Sequence, residues 1–213
     1  MNFNEKLEQY ILEHTQPEEN VLKELFRETH LKIYHPRMLS GHLQGKILAM
    51  LCKMIKPDNI LEIGTYTGYS AISMAFAIDN KSKIYTIDNN DEIEDFTRTY
   101  FKKAGVENKI EFLIGDAIEI IPQMDINFDI VFIDGNKHQD SEYYNLVFDK
   151  VVKGGYIFAD NALWSGKVIE DNIRNNDYDT IGIIKFNKKI QNDNRVENVL
   201  FPIRDGLMVI RKK

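Results

Sequence analysis

With 213 residues, 43% of them hydrophobic and 28% charged, the chain has the make-up of a water-soluble globular domain that buries a substantial core. A formal charge of −6 gives no general attraction to nucleic acid or membrane, and a single cysteine, Cys52, excludes an internal disulfide and a cysteine-rich zinc site. No apolar run is long enough to cross a bilayer and the N-terminus carries no signal pattern, so a cytoplasmic location with no membrane partner is expected.

In chain order, residues 3–15 and 17–30 read as two helices, the second opened by Pro17 and two glutamates. Residues 30–40, interrupted by Pro36, read as a connector. Across 40–55, Leu43, Ile47, Leu48, Met50, Leu51 and Met54 recur at helical spacing, which predicts a core-packed helix and a buried Cys52. Ile60, Leu61 and Ile63 form a short apolar run, 64–68 a glycine-punctuated turn, and a helical pattern starts at Tyr69. Strand, tight turn and helix in that order make a nucleotide site at the carboxyl end of the first strand of an open α/β sheet. A dinucleotide fingerprint requires Gly-x-Gly-x-x-Gly there. With Gly64 as the middle glycine, Glu62 and Thr67 occupy the other two places. A carboxylate in that turn repels a pyrophosphate and suits a ligand bearing an ammonium group, which tilts the reading from a nicotinamide cofactor toward S-adenosylmethionine (SAM).

Beyond the turn the chain alternates. Strands are expected at 83–87, 110–114 and 128–133, followed by Asp88, Gly115-Asp116 and Asp134, with a fifth leading from Gly154-Gly155 to Asp160-Asn161. Helices are expected at 91–104, from 117 to Met124, and at 141–152. Such alternation predicts a parallel sheet covered on both faces, and a parallel sheet gathers its strand-end carboxylates on one edge. Residues 170–180 are polar and without period, a loop; 180–192 read as a helix. Strands at 195–202 and 207–211 flank Arg204-Asp205-Gly206, a hairpin signal that makes the last pair antiparallel. The expected fold is therefore α/β: a seven-stranded, mostly parallel sheet with an antiparallel C-terminal hairpin and helices on both faces. One domain is expected over 1–213, with residues 1–39 as a helical appendage.

The strand ends carry the chemistry. Asp88 lies about 20 residues past the glycine turn, where a carboxylate reaches ribose hydroxyls; its competing role, a helix N-cap, is one that Asp91 can fill. Asp116 and Ala117 can offer a carboxylate and a backbone N–H to an adenine edge, and Asp116 can equally cap a helix. Asp134, Asp160 and Asn161 supply two carboxylates and an amide oxygen, a hard donor set that suits Mg²⁺, Mn²⁺ or Ca²⁺ rather than zinc. Lys137, three residues past Asp134, can lean over the same place. Near a divalent cation its ammonium would be destabilised, as a general base requires; the plainer alternative is a solvated lysine. His138 is the reserve base.

Three stretches carry a resemblance: Leu61-Glu-Ile-Gly-Thr-Tyr-Thr-Gly-Tyr-Ser70, Ile133-Asp-Gly-Asn-Lys137 and Asp160-Asn-Ala-Leu-Trp-Ser-Gly166. Together they resemble the metal- and SAM-dependent O-methyltransferases of the catechol and caffeoyl-coenzyme A type, from about Met38 to Ile210. The resemblance implies a Rossmann-like methyltransferase fold. It further implies that Ser40, Glu62, Gly64 and Ser70 hold the amino-acid part of SAM, with Asp88 on ribose, Asp116 and Ala117 on adenine, and Asp134 serving both cofactor and metal. Asp134, Asp160 and Asn161 would ligate the metal, Lys137 would be the base and Trp164 would wall the acceptor pocket. Gly135-Asn136 departs from the family's more usual Ala-Asp or His-Trp. A homodimer is implied by the family alone.

A donor set of this kind calls for an acceptor with two neighbouring oxygens. Catechols qualify, and so does 5-hydroxyuridine in tRNA, which some bacterial members methylate to 5-methoxyuridine. Arg27, Lys32, Arg37 and Lys46, opposed within that segment by Glu28 alone, lean the expectation toward tRNA; overall acidity weighs against it. The alternative acceptor is a catechol-like small molecule. A different class, a non-catalytic SAM- or RNA-binding module, would need neither the Asp-Asp-Asn set nor Lys137.

Overall fold

The structure, a computed structural model, describes residues 5–213. The start of the expected first helix, residues 3 and 4, lies outside the described residues. Helices α1 (Glu5–Glu13), α2 (Asn20–Lys32) and α3 (Gly41–Ile55) precede strand β1 (Asn59–Ile63). Next come α4 (Tyr69–Ala75), β2 (Lys83–Asp88), α5 (Glu94–Lys103), β3 (Ile110–Ile114) and α6 (Ala117–Ile120). The chain continues through β4 (Phe128–Ile133), α7 (Asp140–Phe148), β5 (Val151–Asp160), α8 (Tyr178–Gln191), β6 (Val196–Phe201) and β7 (Leu207–Lys212). The seven strands are ordered β3-β2-β1-β4-β5-β7-β6. β7 runs antiparallel to both β5 and β6, while β1–β4, β4–β5 and β2–β3 are parallel pairs. The mostly parallel sheet and its antiparallel C-terminal hairpin are thus as expected.

By contacts the chain forms two compact units. The first comprises Asn59–Gly64 and Asp116–Lys213. Its centre is the run of β1, β4 and β5, where Ile60, Leu61, Ile130, Val131, Phe132, Ile157 and Phe158 are buried. Strands buried on both faces are apolar almost continuously, which is why these segments lack an alternating pattern. α7 and α8 cover one another through Tyr144 and Phe186, whose rings meet edge to face at 6.2 Å.

The second unit, the described residues up to Asp58 together with Thr65–Gly115, packs Leu22, Leu25, Leu48 and Cys52 from the early helices, Ile72 and Met74 from α4, and Tyr100 and Phe101 from α5.

Two local expectations are corrected. The helix expected at 141–152 stops at Phe148, and Val151 and Val152 belong to β5. Both are β-branched, which favours strand, and Phe128 N–H already donates to Lys150 O at 2.8 Å, so the edge of β4 captures this segment before Gly154. The N-cap expected of Asp91 is Asn90, whose side chain accepts from Glu92 N–H at 3.1 Å.

Candidate functional site

The parallel register of β4 and β5 pairs Ile133 with Ala159, and one further step brings Asp134, just past β4, level with Asp160, the last residue of β5. Asn161 follows with φ +63°, a left-handed conformation that asparagine adopts more readily than most residues. After Asp134 the chain makes a short 3-10 turn, Lys137–Gln139, which starts with the lysine. Lys137 is only 8% exposed, which rules out the solvated lysine considered above. Its Nζ donates to Asp134 Oδ1 at 2.9 Å and to Asp160 O at 3.3 Å.

Charge in this cluster does not balance. Burial works against the Lys137 ammonium, but the negative charges of Asp134, Asp140 and Asp160 outweigh it and hold its pKa above the ordinary lysine range. Burial, with the charge of Asp160 added, pushes the Asp134 carboxyl up to about 6 against the pull of Lys137. Lys137, with Arg204 also acting on Asp134, thus faces three carboxylic acids in a low-dielectric place, and the remaining negative charge is what a divalent ion would neutralise.

Among the described residues, no group of three or more His, Cys, Asp or Glu is placed to hold a metal ion. The candidate set has two such residues and an amide. Asn161 Nδ2 lies 3.4 Å from Asp205 Oδ2, to which it donates, so Oδ1 is the atom left over for a ligand. In donor type and in charge the three residues fit a hard divalent cation.

The other residues singled out from the sequence are divided between the two units. In the first unit Glu62 is fully buried near the end of β1. Gly64 has φ +100°, and a Cβ there would fall 2.3 Å from Asp134 O, so only glycine lets the turn lie against the backbone of the candidate ligand. Asp116 caps α6 by accepting from Ile118 N–H at 2.9 Å, and Ala117 is buried. In the second unit Ser40 and Ser70 are buried. There Asp88 is fixed by two backbone donors, Tyr66 N–H on Oδ2 at 2.6 Å and Asn90 N–H on Oδ1 at 3.0 Å. His138 is half-exposed beside Asp179, at 3.3 Å. Trp164 has a buried indole Nε1 with no hydrogen-bond partner among the described residues.

Two carboxylates escaped the sequence reading. Asp140, at the start of α7, is 2% exposed, and burial pushes its carboxyl up to about 7; its spacing of one helical turn from Lys137 was the available signal. Asp205 read only as part of a hairpin turn, yet it reaches the Asn161 loop.

A family model described as O-methyltransferase matches residues 12–213. A caffeoyl-CoA O-methyltransferase of Medicago sativa is 34% identical over 224 residues, spanning 98% of this chain and 89% of the relative. Among solved structures, the SAH-bound methyltransferase PaMTH1 of Podospora anserina superposes with a TM-score of 0.91 at 27% identity, covering 100% of this chain and 98% of that one. An O-methyltransferase of Bacillus cereus in complex with SAH gives 0.89 at 25% identity, with 98% and 97% covered.

Proposed function

The chain belongs to the O-methyltransferase family, and from that premise we propose that it moves the methyl group of SAM onto one of two neighbouring oxygens of a catechol-like acceptor, with Asp134, Asp160 and Asn161 holding a divalent cation. The observation that carries the reading is the buried Lys137 ammonium on Asp134 Oδ1 and Asp160 O, at the head of a cluster with surplus negative charge.

When bound, the cation supplies a Lewis acid that lowers the pKa of an acceptor hydroxyl and fixes its direction. The rest falls to the chain. Lys137 Nζ, buried on Asp134 Oδ1 and Asp160 O, is the group assigned to take the hydroxyl proton, and a cation that neutralised those carboxylates would leave burial to favour its uncharged form. Gly64 lets the end of β1 lie against the backbone of Asp134, at the ligand-bearing strand end. Ser40, Glu62, Gly64, Ser70, Asp88, Asp116 and Ala117 are assigned to SAM; the buried carboxylate of Glu62 suits its ammonium group. Trp164 is assigned to the wall of the acceptor pocket.

The acceptor proposed here is the small one. Of the four cations that leaned the sequence toward tRNA, Lys32 pairs with Glu28 at 2.5 Å and Lys46 with Glu19 at 2.7 Å, which leaves less charge for phosphates. The relatives named for caffeoyl-CoA lean the same way. Incubating the protein with SAM, Mg²⁺ and either a vicinal aromatic diol or tRNA bearing 5-hydroxyuridine tests the choice by mass spectrometry. Methyl on the diol supports the reading; methyl on the tRNA alone replaces the acceptor. A second copy is the proposed partner, because the apolar side chains of Leu31, in the last turn of α2, and of Tyr34 and Met38 just after it are exposed. Light scattering that returns the mass of one chain would reject it.

A further inference from the structure

We propose that Asp205 is a positioning residue: it sets the orientation of the Asn161 amide so that the oxygen, not the nitrogen, is presented to the cation. The inference rests on the metal reading above. An amide has one end that can ligate a hard cation and one that cannot, and the two have nearly the same shape. Something must choose between them. An ionised carboxylate only accepts hydrogen bonds, so a carboxylate on one side of the amide selects the –NH₂ end and leaves the oxygen to the other side.

Asp205 is placed for that task. Its Oδ2 accepts from Asn161 Nδ2 at 3.4 Å, and its Oδ1 accepts from Ser165 N–H. Its own backbone is anchored to the same loop: Leu163 N–H donates to Asp205 O at 2.8 Å and Ala162 N–H to Gly206 O at 2.9 Å. The loop so held is unusual. Asn161, Trp164 and Ser165 all have positive φ, at +63°, +47° and +55°. Left-handed non-glycine residues persist when their surroundings over-determine them, and here the surroundings include the 202–206 connection between β6 and β7. Each carboxylate oxygen of Asp205 thus accepts one hydrogen bond from the loop that carries Asn161, and its proposed role is exerted through that residue.

The test is Mn²⁺ binding to the purified full chain, followed by electron paramagnetic resonance, with SAM affinity and thermal unfolding measured alongside. Asp205→Asn keeps the shape but offers the Asn161 amide a donor as well as an acceptor. It is expected to weaken Mn²⁺ binding about 10- to 100-fold, the usual cost of losing a group that orients a ligand, with SAM affinity unchanged. Asp205→Ala, which removes the acceptor altogether, is expected to act in the same direction. The decisive arm repeats Asp205→Asn in an Asn161→Asp background. A carboxylate has two equivalent oxygens and needs no orienting, so no further loss is expected there. An equal loss in both backgrounds would mean that Asp205 merely braces the loop, and would overturn the proposal. So would unchanged Mn²⁺ affinity in Asp205→Asn and Asp205→Ala. If the unmodified protein itself takes up no Mn²⁺, the metal reading fails first, and this result is distinct from the other two.

Discussion

Lys137 is charged in the ion-free protein and must be neutral to act as a base. Its neighbours decide between these states: three acids raise its pKa, and burial alone would lower it. Replacing it with methionine, of similar length and without charge, is expected to lower kcat by about 10²- to 10⁴-fold, the range for a general base. SAM affinity by titration calorimetry should stay the same. A Lys137→Met enzyme with unchanged kcat would remove the base assignment. At this scale the sequence was legible where chemistry follows chain spacing. Asp134 and Lys137 are three residues apart, and Asp160 and Asn161 are adjacent at a strand end. Asp140 was not legible as an active-site neighbour, because its burial comes from packing in three dimensions and not from its local sequence. Asp205 was missed for a similar reason, since its partners lie 40 and 44 residues away.

The elements hold that geometry by close approach. α8 lies over the turn that begins with Lys137, and its contact point is Gly182: a Cβ there would fall 2.6 Å from His138 Cα and 2.8 Å from Lys137 O. Both are backbone atoms, so Gly182→Ala must displace either the helix or the turn. A stability loss of about 1–3 kcal/mol is expected, typical of overpacking, together with a lower kcat; unchanged thermal unfolding and activity would show that the contact gives way freely. After α8, Asp193 closes the unit by accepting from Arg195 Nη2 at 2.6 Å, Arg195 Nε at 2.9 Å and Tyr144 Oη at 2.9 Å. These bonds, those from Arg195 foremost, hold its carboxyl below its ordinary 3.8. A depressed carboxylate stabilises the fold above the unfolded pKa and loses that contribution as pH falls through the folded one. Asp193→Asn should therefore cost stability at neutral pH and little in strong acid, a comparison that urea unfolding across pH would make. A cost independent of pH would contradict it. Strands β2, β3 and β4 were readable to within a residue because apolar runs end at acidic or glycine residues. The α7–β5 boundary was not, because Val151 and Val152 continue the apolar pattern of a helix and only pairing with β4 makes them strand.

For the molecule as a whole, alternation of strand and helix was enough to give the sheet and its class, and the last antiparallel pair followed from one Asp-Gly turn. What local pattern could not supply was the state of surface charge. In the basic segment 27–46, Lys32 pairs with Glu28 and Lys46 with Glu19, the second partner lying 27 residues away in the chain. Among the described residues no helix is long and apolar enough to cross a membrane. If side chains 134, 160 and 161 hold a divalent cation that the methyl transfer requires, the metal-free protein must be inactive. The measurement is turnover of a vicinal diol with SAM after the protein has been stripped with a chelator and the loss of metal confirmed by elemental analysis. Activity near zero that returns on adding Mg²⁺ or Mn²⁺ is expected, and full-speed methylation by the metal-free protein would rule the cation out.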